Sequence, residues 1–359
     1  MQKFFHFLAI ALTALTMAAC NGNEQDTLFF NIQTLSTRAR VTILCSDNEA
    51  FFYSNYIAKD DVQKDGGLQH IAQNVVKNET FDDLYNDHYI QKFKEEYSAV
   101  ALVPNTVYTL YAFIVDQDEQ GYARVAGPVV SRDFTSLPEH TLPAVFSVSP
   151  TKRVRFADAN TNKVLGHYGF FDNQYQYEYA SDGNTVDLFQ WDNVADITAE
   201  QKDFEALTAD EWWYLFKERP RADILFAHAT VDAVRGLIIL PDNWQTPTGL
   251  NIITSKAMGM EWDEKELKYT HSSDTFNGYA QNKLTQQQWL LLEYAGAVFL
   301  PATNDNDGYG WYWSSSELDN SSEFAHAFGF TPFYLYIRTL NRSAIKKIEY
   351  CPLRLARPL

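Results

Sequence analysis

All eight tryptophans of this 359-residue chain lie between Trp191 and Trp313. The segment LPEHTLP, residues 137–143, precedes them and carries two prolines, which marks a break between folded regions. A length of 359 residues permits about two domains on the usual prior of roughly 150 residues each. The sequence therefore predicts two units of different build, residues 28–137 and residues 138–359.

The composition indicates an ordered and acidic protein. The apolar fraction of 46% is enough for packed cores, which excludes global disorder. The chain has 46 acidic and 29 basic side chains, for a formal net charge of −17. Binding to phosphate groups needs clustered Lys and Arg, so this balance argues against nucleic acid and against anionic membrane surfaces as partners.

The N-terminus has the layout of an export signal. Lys3 precedes an apolar run from Phe4 to Leu15, and two alanines come directly before Cys20. The run is too short to cross a bilayer comfortably. The sequence around Cys20 resembles a bacterial lipobox, in which a signal peptidase cuts before the cysteine and the thiol carries lipid. An ordinary cleaved signal with a chance cysteine is the alternative.

The lipobox resemblance implies where the protein is located in the cell. Residues 1–19 would be the signal peptide and residues 20–27 a lipidated linker. The lipid on Cys20 would be the only membrane attachment. We expect it in the outer membrane with the protein on the cell surface, and a position on the periplasmic side is the alternative. Two cysteines remain, Cys45 and Cys351. We expect both as buried free thiols, and a disulfide between them stays an alternative.

The first unit is predicted to be a β-sandwich. FFNIQTL, RARVTILCS and AFFYSNYIA have the composition of strands, and further strands follow at LYAFIVD and near 123–135. Residues 59–97 are instead predicted as a helical insertion, with one helix in GLQHIAQNVV and a second in ETFDDLYNDHYIQKFKEEY. His70 and His88 on these helices have no partner at metal-binding spacing.

A second resemblance lies at the far end of this unit. Leu102, Pro104, Thr106 and Tyr108 follow the pattern L-x-P-x-T-x-Y before a strand, which looks like the corner of a fibronectin type III domain. In that family a tyrosine bonds back to upstream backbone, and Tyr108 is the matching residue. With its helical insertion, the unit resembles first domains of surface lipoproteins from gut-commensal Gram-negative bacteria. The resemblance implies a spacer.

The second unit carries two helix start signals. Thr208 is followed by Glu211 and Thr285 by Gln288, and each pair has the spacing of a capping box. Helices begun in this way among many short strands indicate an α+β domain. Five tryptophans are expected to have structural roles in its core: Trp212, Trp244, Trp289, Trp311 and Trp313. For Trp311 and Trp313, which share one face of an extended segment, a sugar-stacking platform is the alternative.

The order of landmarks in the second unit carries a resemblance of its own. FSVSPTKRVRFADAN is followed by DLFQW, the first capped helix, GLIILPDNW, the second capped helix, GAVFLPA, GYGWYWSSSE and IEYCPLRLARPL. This series looks like the C-type-lectin-like domains of fimbrial or major-paralogue bacterial surface proteins. It is also similar to variable proteins of diversity-generating retroelements and, more distantly, to formylglycine-generating enzyme. The resemblance implies paired N- and C-terminal strands, with Val154–Phe156 near Leu353–Leu355.

The same resemblance implies a ligand face in the irregular segment after the YWSSS motif, which here runs from Ser316 to Arg342. Aromatic and Arg side chains suit recognition because they offer large contact area and directed hydrogen bonds. Alternation of the aromatics into a sheet, with one face as core, is the alternative for about half of them. The ligand-binding candidates are Asp305, Asp307, Glu317, Phe333, Tyr334, Tyr336, Arg338, Asn341 and Arg342.

The sequence argues against metal binding and catalysis. Residues 304–308 resemble the start of an EF-hand loop, but Ser314 stands where that loop needs a bidentate Glu. Formylglycine generation uses a closely spaced cysteine pair, whereas this unit has only Cys351. Motifs such as H-E-x-x-H and G-x-S-x-G are absent, and no cofactor is expected. A dispersed carboxylate pair, as in glycan hydrolases, is left open.

These observations predict a lipid-anchored, adhesin-like surface protein that binds a glycan or protein ligand and is not an enzyme. A structural or assembly subunit of a fimbrial or outer-membrane complex is the alternative, and a hydrolase is third. The oligomeric state is left open.

Overall fold

The computed structural model describes residues 28–177, 185–273, 275–303, 308–319, 321–337 and 344–359. Cys20 and the signal segment lie outside the described residues. The protein is mostly β-sheet with few helices, as expected for an all-β or α+β architecture. None of the helices within the described ranges is both long and apolar enough to cross a membrane.

Seven strands of the first unit form two antiparallel sheets. One sheet has the order β1-β2-β5 and the other β4-β3-β6-β7. Residues from both sheets, such as Val41, Phe52 and Leu110, share one core, so the sheets pack face to face. The strands are β1 (Leu28–Thr34), β2 (Ala39–Cys45), β3 (Phe51–Ala58), β4 (Ile90–Lys92), β5 (Lys94–Ala99), β6 (Val107–Gln117) and β7 (Ala123–Thr135).

Three short helices interrupt this sandwich between β3 and β4. They are α1 (Lys59–Lys64), α2 (Leu68–Val76) and α3 (Phe81–Asn86). Ala72, Val76 and Leu84 pack against Tyr111 and Phe113 of β6. Because Leu110 on the opposite face of β6 lies in the sandwich core, this strand is buried on both faces.

The prediction of a helical insertion over residues 59–97 was wrong in its last part. The helix predicted in ETFDDLYNDHYIQKFKEEY corresponds to α3 and ends at Asn86. The chain then forms β4 and β5. β5 pairs with β2 over six residues, with Val41 opposite Tyr97 and Ala39 opposite Ala99. These long-range hydrogen bonds satisfy the edge of β2 and bury Ala99, which outweighs the local helix preference of the segment.

Tyr108 forms the predicted corner. Its hydroxyl accepts a hydrogen bond of 2.8 Å from the backbone N–H of Val103, five residues upstream. The side chain is 7% exposed and its ring stacks on Phe134 of β7 at 5.6 Å. The bond fixes the turn between β5 and β6 to the core.

The second unit is built from seventeen short strands within the described ranges. They are β8 (Phe146–Ser147), β9 (Arg153–Phe156), β10 (Thr161–Val164), β11 (His167–Phe170), β12 (Thr185–Val186), β13 (Glu205–Ala206), β14 (Phe226–Val231), β15 (Val234–Ile239), β16 (Met260–Asp263), β17 (Lys268–His271), β18 (Lys283–Leu284), β19 (Val298–Pro301), β20 (Gly310–Glu317), β21 (Phe324–Thr331), β22 (Tyr334–Tyr336), β23 (Ala344–Lys346) and β24 (Leu355–Pro358).

These strands form four sheets. Three are small, with the orders β11-β10-β12, β13-β24-β9-β8 and β18-β14-β15-β19. The largest has the order β16-β17-β22-β21-β20, and β23 pairs with β21. The helices are α4 (Asn193–Glu200), α5 (Ala209–Trp213) and α6 (Gln286–Tyr294), with a π-helical turn (Tyr214–Glu218) after α5 and two 3-10 turns (Ala222–Ile224 and Gly278–Ala280).

Both predicted capping boxes are confirmed. The Thr208 side chain accepts from the Glu211 N–H at the start of α5, and Thr285 and Gln288 make the same reciprocal bonds at α6. Each helix then buries a tryptophan, Trp212 or Trp289, each 1% exposed. The Trp212 ring lies 4.2 Å from that of Phe328, which packs α5 on the largest sheet.

The other structural tryptophans also lie in or against the core. Trp244 is 9% exposed and Trp313 is fully buried. Trp311 is only partly buried and packs against the cluster around Trp313. The thiols of Cys45 and Cys351 are both free and buried, as predicted.

Strand β9 pairs with the last strand, β24, and this places Val154–Phe156 beside the C-terminal run as predicted. Phe156 of β9 lies opposite Ala356 of β24, and Val154 lies opposite Pro358. Leu353 lies before β24, and its carbonyl accepts a hydrogen bond of 3.0 Å from the Thr161 N–H. Of the predicted residues, Leu355 is the first residue of β24, and its carbonyl accepts the Ala157 N–H at 2.9 Å.

The second unit contacts one end of the sandwich. Leu28 pairs with Cys45 at one end of the β1–β2 hairpin, and Thr34 pairs with Ala39 at the other. The loop at this second end carries Arg38, whose guanidinium lies 2.9 Å from the Glu293 carboxylate of α6. The chain thus enters the sandwich at the end opposite the second unit.

We expect Tyr108→Phe to lower the free energy of unfolding by about 1–3 kcal/mol, because the Val103 N–H loses its acceptor. Urea unfolding measures this. Tyr122→Phe is the control, since Tyr122 is 49% exposed and should lose little. Equal losses of stability in the two variants would contradict a stabilising role of the Tyr108 hydroxyl at this corner.

Glu293 gives a pH-dependent prediction. Its side chain is 5% exposed, and burial is the main cause that raises the pKa of its carboxyl. In the unfolded chain the pKa of this carboxyl is about 4.3, so as pH rises the unfolded state loses the proton before the folded state does. The free energy of unfolding should therefore fall as pH rises from there through the folded pKa, by about 1.36 kcal/mol for each pH unit that separates the two pKa values.

Glu293→Gln removes this ionisation and should flatten that part of the stability curve. Urea unfolding between about pH 4 and pH 7 compares the two proteins. Glu119→Gln, at an exposed position, is the control and should follow the parent curve. Parallel curves for the parent and Glu293→Gln would refute the prediction.

Candidate functional site

The largest sheet of the second unit has one face in the core. Tyr269, Phe328, Phe330 and Leu335 point to this side and belong to the main apolar cluster. Because side chains alternate along a strand, their neighbours in sequence point to the other face. That second face carries the candidate site.

One cross-strand register line of the second face crosses four strands. Trp311 of β20 lies opposite Gly329 of β21, Gly329 lies opposite Tyr336 of β22, and Tyr336 lies opposite Lys268 of β17. Tyr334, two residues before Tyr336, points to the same side. We call Trp311, Tyr336 and Tyr334 the aromatic row.

The three rings of the aromatic row are in contact. Trp311 and Tyr336 are stacked, with ring centroids 5.8 Å apart and planes 15° apart. The Tyr334 ring lies 5.5 Å from that of Tyr336. Phe333 extends the row, with its ring 4.4 Å from Tyr334 in an edge-to-face arrangement.

Gly329 makes the stack sterically possible. A Cβ at this position would overlap the six-membered ring of Trp311. The absence of a side chain lets the indole lie across the backbone of β21 and reach Tyr336 on the next strand. This is a close approach that only glycine allows.

Lys268 closes one end of the row. Its ammonium lies 4.1 Å from the Tyr334 ring centroid and 5.4 Å from that of Tyr336, and the residue is 7% exposed. The Glu266 carboxylate is 3.9 Å away. The electron-rich ring faces thus compensate part of the cost of burying this charge.

The row is partly open to solvent. Trp311, Phe333 and Tyr334 are each partly exposed, whereas Tyr336 is 6% exposed. The Tyr334 backbone is held by a hydrogen bond of 3.1 Å from its N–H to the Thr331 hydroxyl. A rigid sheet therefore presents aromatic surface at a fixed geometry, which can stack on a planar or ring-shaped apolar face.

The structure brings together three of the predicted ligand residues, Phe333, Tyr334 and Tyr336. Glu317 does not join them, because it lies at the far end of β20, beyond a bulge, and pairs with Lys347 at 2.9 Å. Five candidates lie outside the described residues: Asp305, Asp307, Arg338, Asn341 and Arg342.

The segment from Ser316 to Arg342 was predicted to be irregular, and its described part is mostly β21 and β22. The alternation considered for its aromatics is present in β22, where Leu335 faces the core and Tyr334 and Tyr336 face outward. The Phe330–Leu335 core contact across β21 and β22 favours this regular pairing.

Sequence reasoning missed Lys268 and favoured a core role for Trp311, with a sugar-stacking platform as the alternative. Trp311 does pack against the buried cluster, but its ring also stacks on Tyr336. Lys268 is 68 residues before Tyr336 in the chain, and only strand pairing places the two together. The local sequence around Lys268 holds no signal for that contact.

Two observations concern metal ligands and histidines in the described ranges. No group of three or more His, Cys, Asp or Glu side chains there could hold a metal ion. The most buried histidine, His228, is 0% exposed, and burial lowers the pKa of its ring to about 4. His228 is therefore a neutral core residue, packed near Tyr279 at 5.4 Å.

Comparisons with protein-family models, with curated proteins and with solved structures give no match.

We expect Gly329→Ala to destabilise the protein by about 1–3 kcal/mol, because its methyl group would displace the Trp311 ring. Urea unfolding measures the loss, and near-ultraviolet circular dichroism reports the disturbed indole. In a Trp311→Ala background the same change should cost much less. An equal cost in both backgrounds would show that another contact is responsible.

Proposed function

We propose that this chain is a lipid-anchored, adhesin-like surface protein whose second unit binds a glycan or protein ligand through the aromatic row. The observation that carries the proposal is the partly exposed stack of Trp311, Tyr336 and Tyr334 on a rigid sheet. Aromatic side chains give large contact area at low rotamer cost, and they recur at binding sites for that reason.

The architecture supports a spacer followed by a recognition domain. Two face-to-face antiparallel sheets and the Tyr108 corner are what a fibronectin type III-like unit requires. Two capped helices and the pairing of β9 with β24 agree with a C-type-lectin-like second unit. These family assignments remain part of the proposal.

The direction of the chain supports display away from a membrane. Leu28 lies at the end of the sandwich opposite the loop that contacts the second unit through Arg38. A lipid on Cys20 would be only eight residues from Leu28. An anchor at the outer membrane would therefore leave the second unit as the distal part.

The row favours a ligand with flat apolar faces. Partly exposed aromatic rings such as Trp311 and Tyr334 can pack on the C–H face of a sugar or on an apolar side chain. Lys268 sits at one end, but its ammonium already contacts two rings and has little exposed surface. The main contribution should therefore come from apolar contact.

Assembly with another protein is the second candidate function. Strand β1 is an edge of its sheet in the described part of the chain, and Phe29 and Leu44 form an exposed cross-strand pair, 39% and 43% exposed. An edge strand with apolar side chains can accept a further strand from a partner. This feature belongs to the first unit and is separate from the aromatic row.

The proposal is tested by screening the full chain, in detergent, on glycan and host-protein arrays. Hits are then measured with Tyr334→Ala, which should weaken binding at least about tenfold because a stacking partner is lost. Tyr350→Ala is the matched control, since Tyr350 is a 61% exposed tyrosine outside the row. Assay of the same glycans for cleavage separates binding from hydrolysis.

Unchanged binding by Tyr334→Ala would refute the site. Absence of binding to every array member would favour the assembly function. Pull-down from the parent cell envelope, with the unchanged chain and with Leu44→Lys, then tests that function.

A further inference from the structure

A second concave site lies on the opposite side of strand β17 from the aromatic row. It is a cavity of about 530 Å³ between the turn after the π-helical segment and the hairpin of β16 and β17. We call it the basic cavity. The lining residues that matter here are Lys217, Arg221, Lys256, Trp262 and Tyr269.

The charge of this cavity is opposite to that of the whole protein. Four of its lining residues are Lys or Arg and only two, Asp223 and Glu261, are acidic. The chain as a whole has a net charge of −17. Cations clustered in a cleft raise the local concentration of anions.

The four cations differ in how far they are already engaged. Arg219 is structural, because it is buried and bonded to Asp242 at 3.0 Å and to the carbonyl oxygens of Leu225 and Leu240. Lys256 lies 2.7 Å from Asp223, yet its side chain is 66% exposed.

Lys217 is also engaged. It pairs with Glu264 at 3.7 Å, and its ammonium lies 4.2 Å from the Trp262 ring centroid. Arg221 is exposed and makes no ion pair with any described residue. A free guanidinium offers paired N–H donors that match a carboxylate or a sulfate.

The backbone at Arg221 is in the left-handed region, with φ 65° and ψ 21°. Glycine would adopt this conformation without strain, so arginine is held here at a local energetic cost. The conformation follows Pro220 and starts the 3-10 turn of Ala222–Ile224. A change to glycine would thus remove the charge without harming the backbone.

Trp262 and Tyr269 give the basic cavity an aromatic part of its lining. Trp262 is partly exposed, and its ring contacts those of Tyr269 at 5.1 Å and Trp213 at 5.4 Å. These contacts fix the indole in place. A cavity of this size that is lined by an aromatic ring and by cations can hold a mono- or disaccharide unit that bears a negative group.

We propose that the basic cavity binds an acidic sugar through its carboxylate or sulfate group. Arg221 and Lys256 bind the oxyanion, and the Trp262 ring contacts the sugar ring. The site goes beyond the proposed role of the aromatic row and lies on the other face of the sheet, so either site can fail without the other.

The test is calorimetric titration of the full chain in detergent with three matched ligands. They are trigalacturonic acid, a sulfated galactotriose and neutral galactotriose. At least one of the two anionic ligands should bind, with the neutral one at least about tenfold weaker. Comparing the anionic ligands shows whether carboxylate or sulfate is preferred, and added salt should weaken binding.

Arg221→Gly should lower affinity for the anionic ligand at least about tenfold while its melting temperature stays the same or rises. Lys265→Gln, on the tip of the same hairpin and outside the cavity lining, is the control for a general charge effect. Tyr334→Ala should leave this binding unchanged.

Three results would overturn the proposal. They are equal binding of the neutral trisaccharide, no binding of either anionic ligand by the folded protein, and equal loss in Arg221→Gly and Lys265→Gln.

Discussion

The second unit depends on one buried guanidinium. Arg354 is 0% exposed and donates to Asn160 Oδ1 at 2.9 Å, to the Ala157 carbonyl at 2.9 Å and to the Phe299 carbonyl at 2.6 Å. Burial lowers the pKa of Arg354 to about 10, so the group stays charged at neutral pH. A buried charge must keep its acceptors, and this requirement ties the C-terminal run to β19 and to the segment after β9.

The same network determines where the aromatic row lies. The Asn160 amide donates to the Tyr312 hydroxyl at 3.0 Å, and that hydroxyl donates to the Pro301 carbonyl at 2.8 Å. Tyr312 lies on β20 and faces the core, so its neighbour Trp311 must face outward. Polar bonds on the core side of β20 therefore fix the position of the aromatic row, and the Tyr312 ring also stacks on that of Phe328 at 5.4 Å.

What the sequence could predict was local. The Tyr108 corner and the two capping boxes involve partners three to five residues apart, and each was identified from spacing alone. The helix predicted over residues 79–97 was wrong beyond Asn86, because β2, about fifty residues away in the chain, pairs with the last part of this segment. Lys268 and Gly329 joined the site only through strand register, which no short pattern encodes.

Strand β17 connects the two candidate surfaces without making them one site. Lys268 faces the aromatic row, and the next residue, Tyr269, faces the basic cavity. The Tyr269 hydroxyl donates to the Phe216 carbonyl at 3.1 Å, which joins the hairpin to the π-helical turn that carries Lys217. Burial raises the pKa of Tyr269 to about 12, so this donor keeps its proton across the physiological range. The hydrogen bond that joins the two sides of the basic cavity is therefore kept at physiological pH. The aromatic row lies on the other face of the same strand. Changes of exposed side chains on one face should therefore leave the other intact, whereas loss of the Tyr269 hydroxyl would loosen the cavity first.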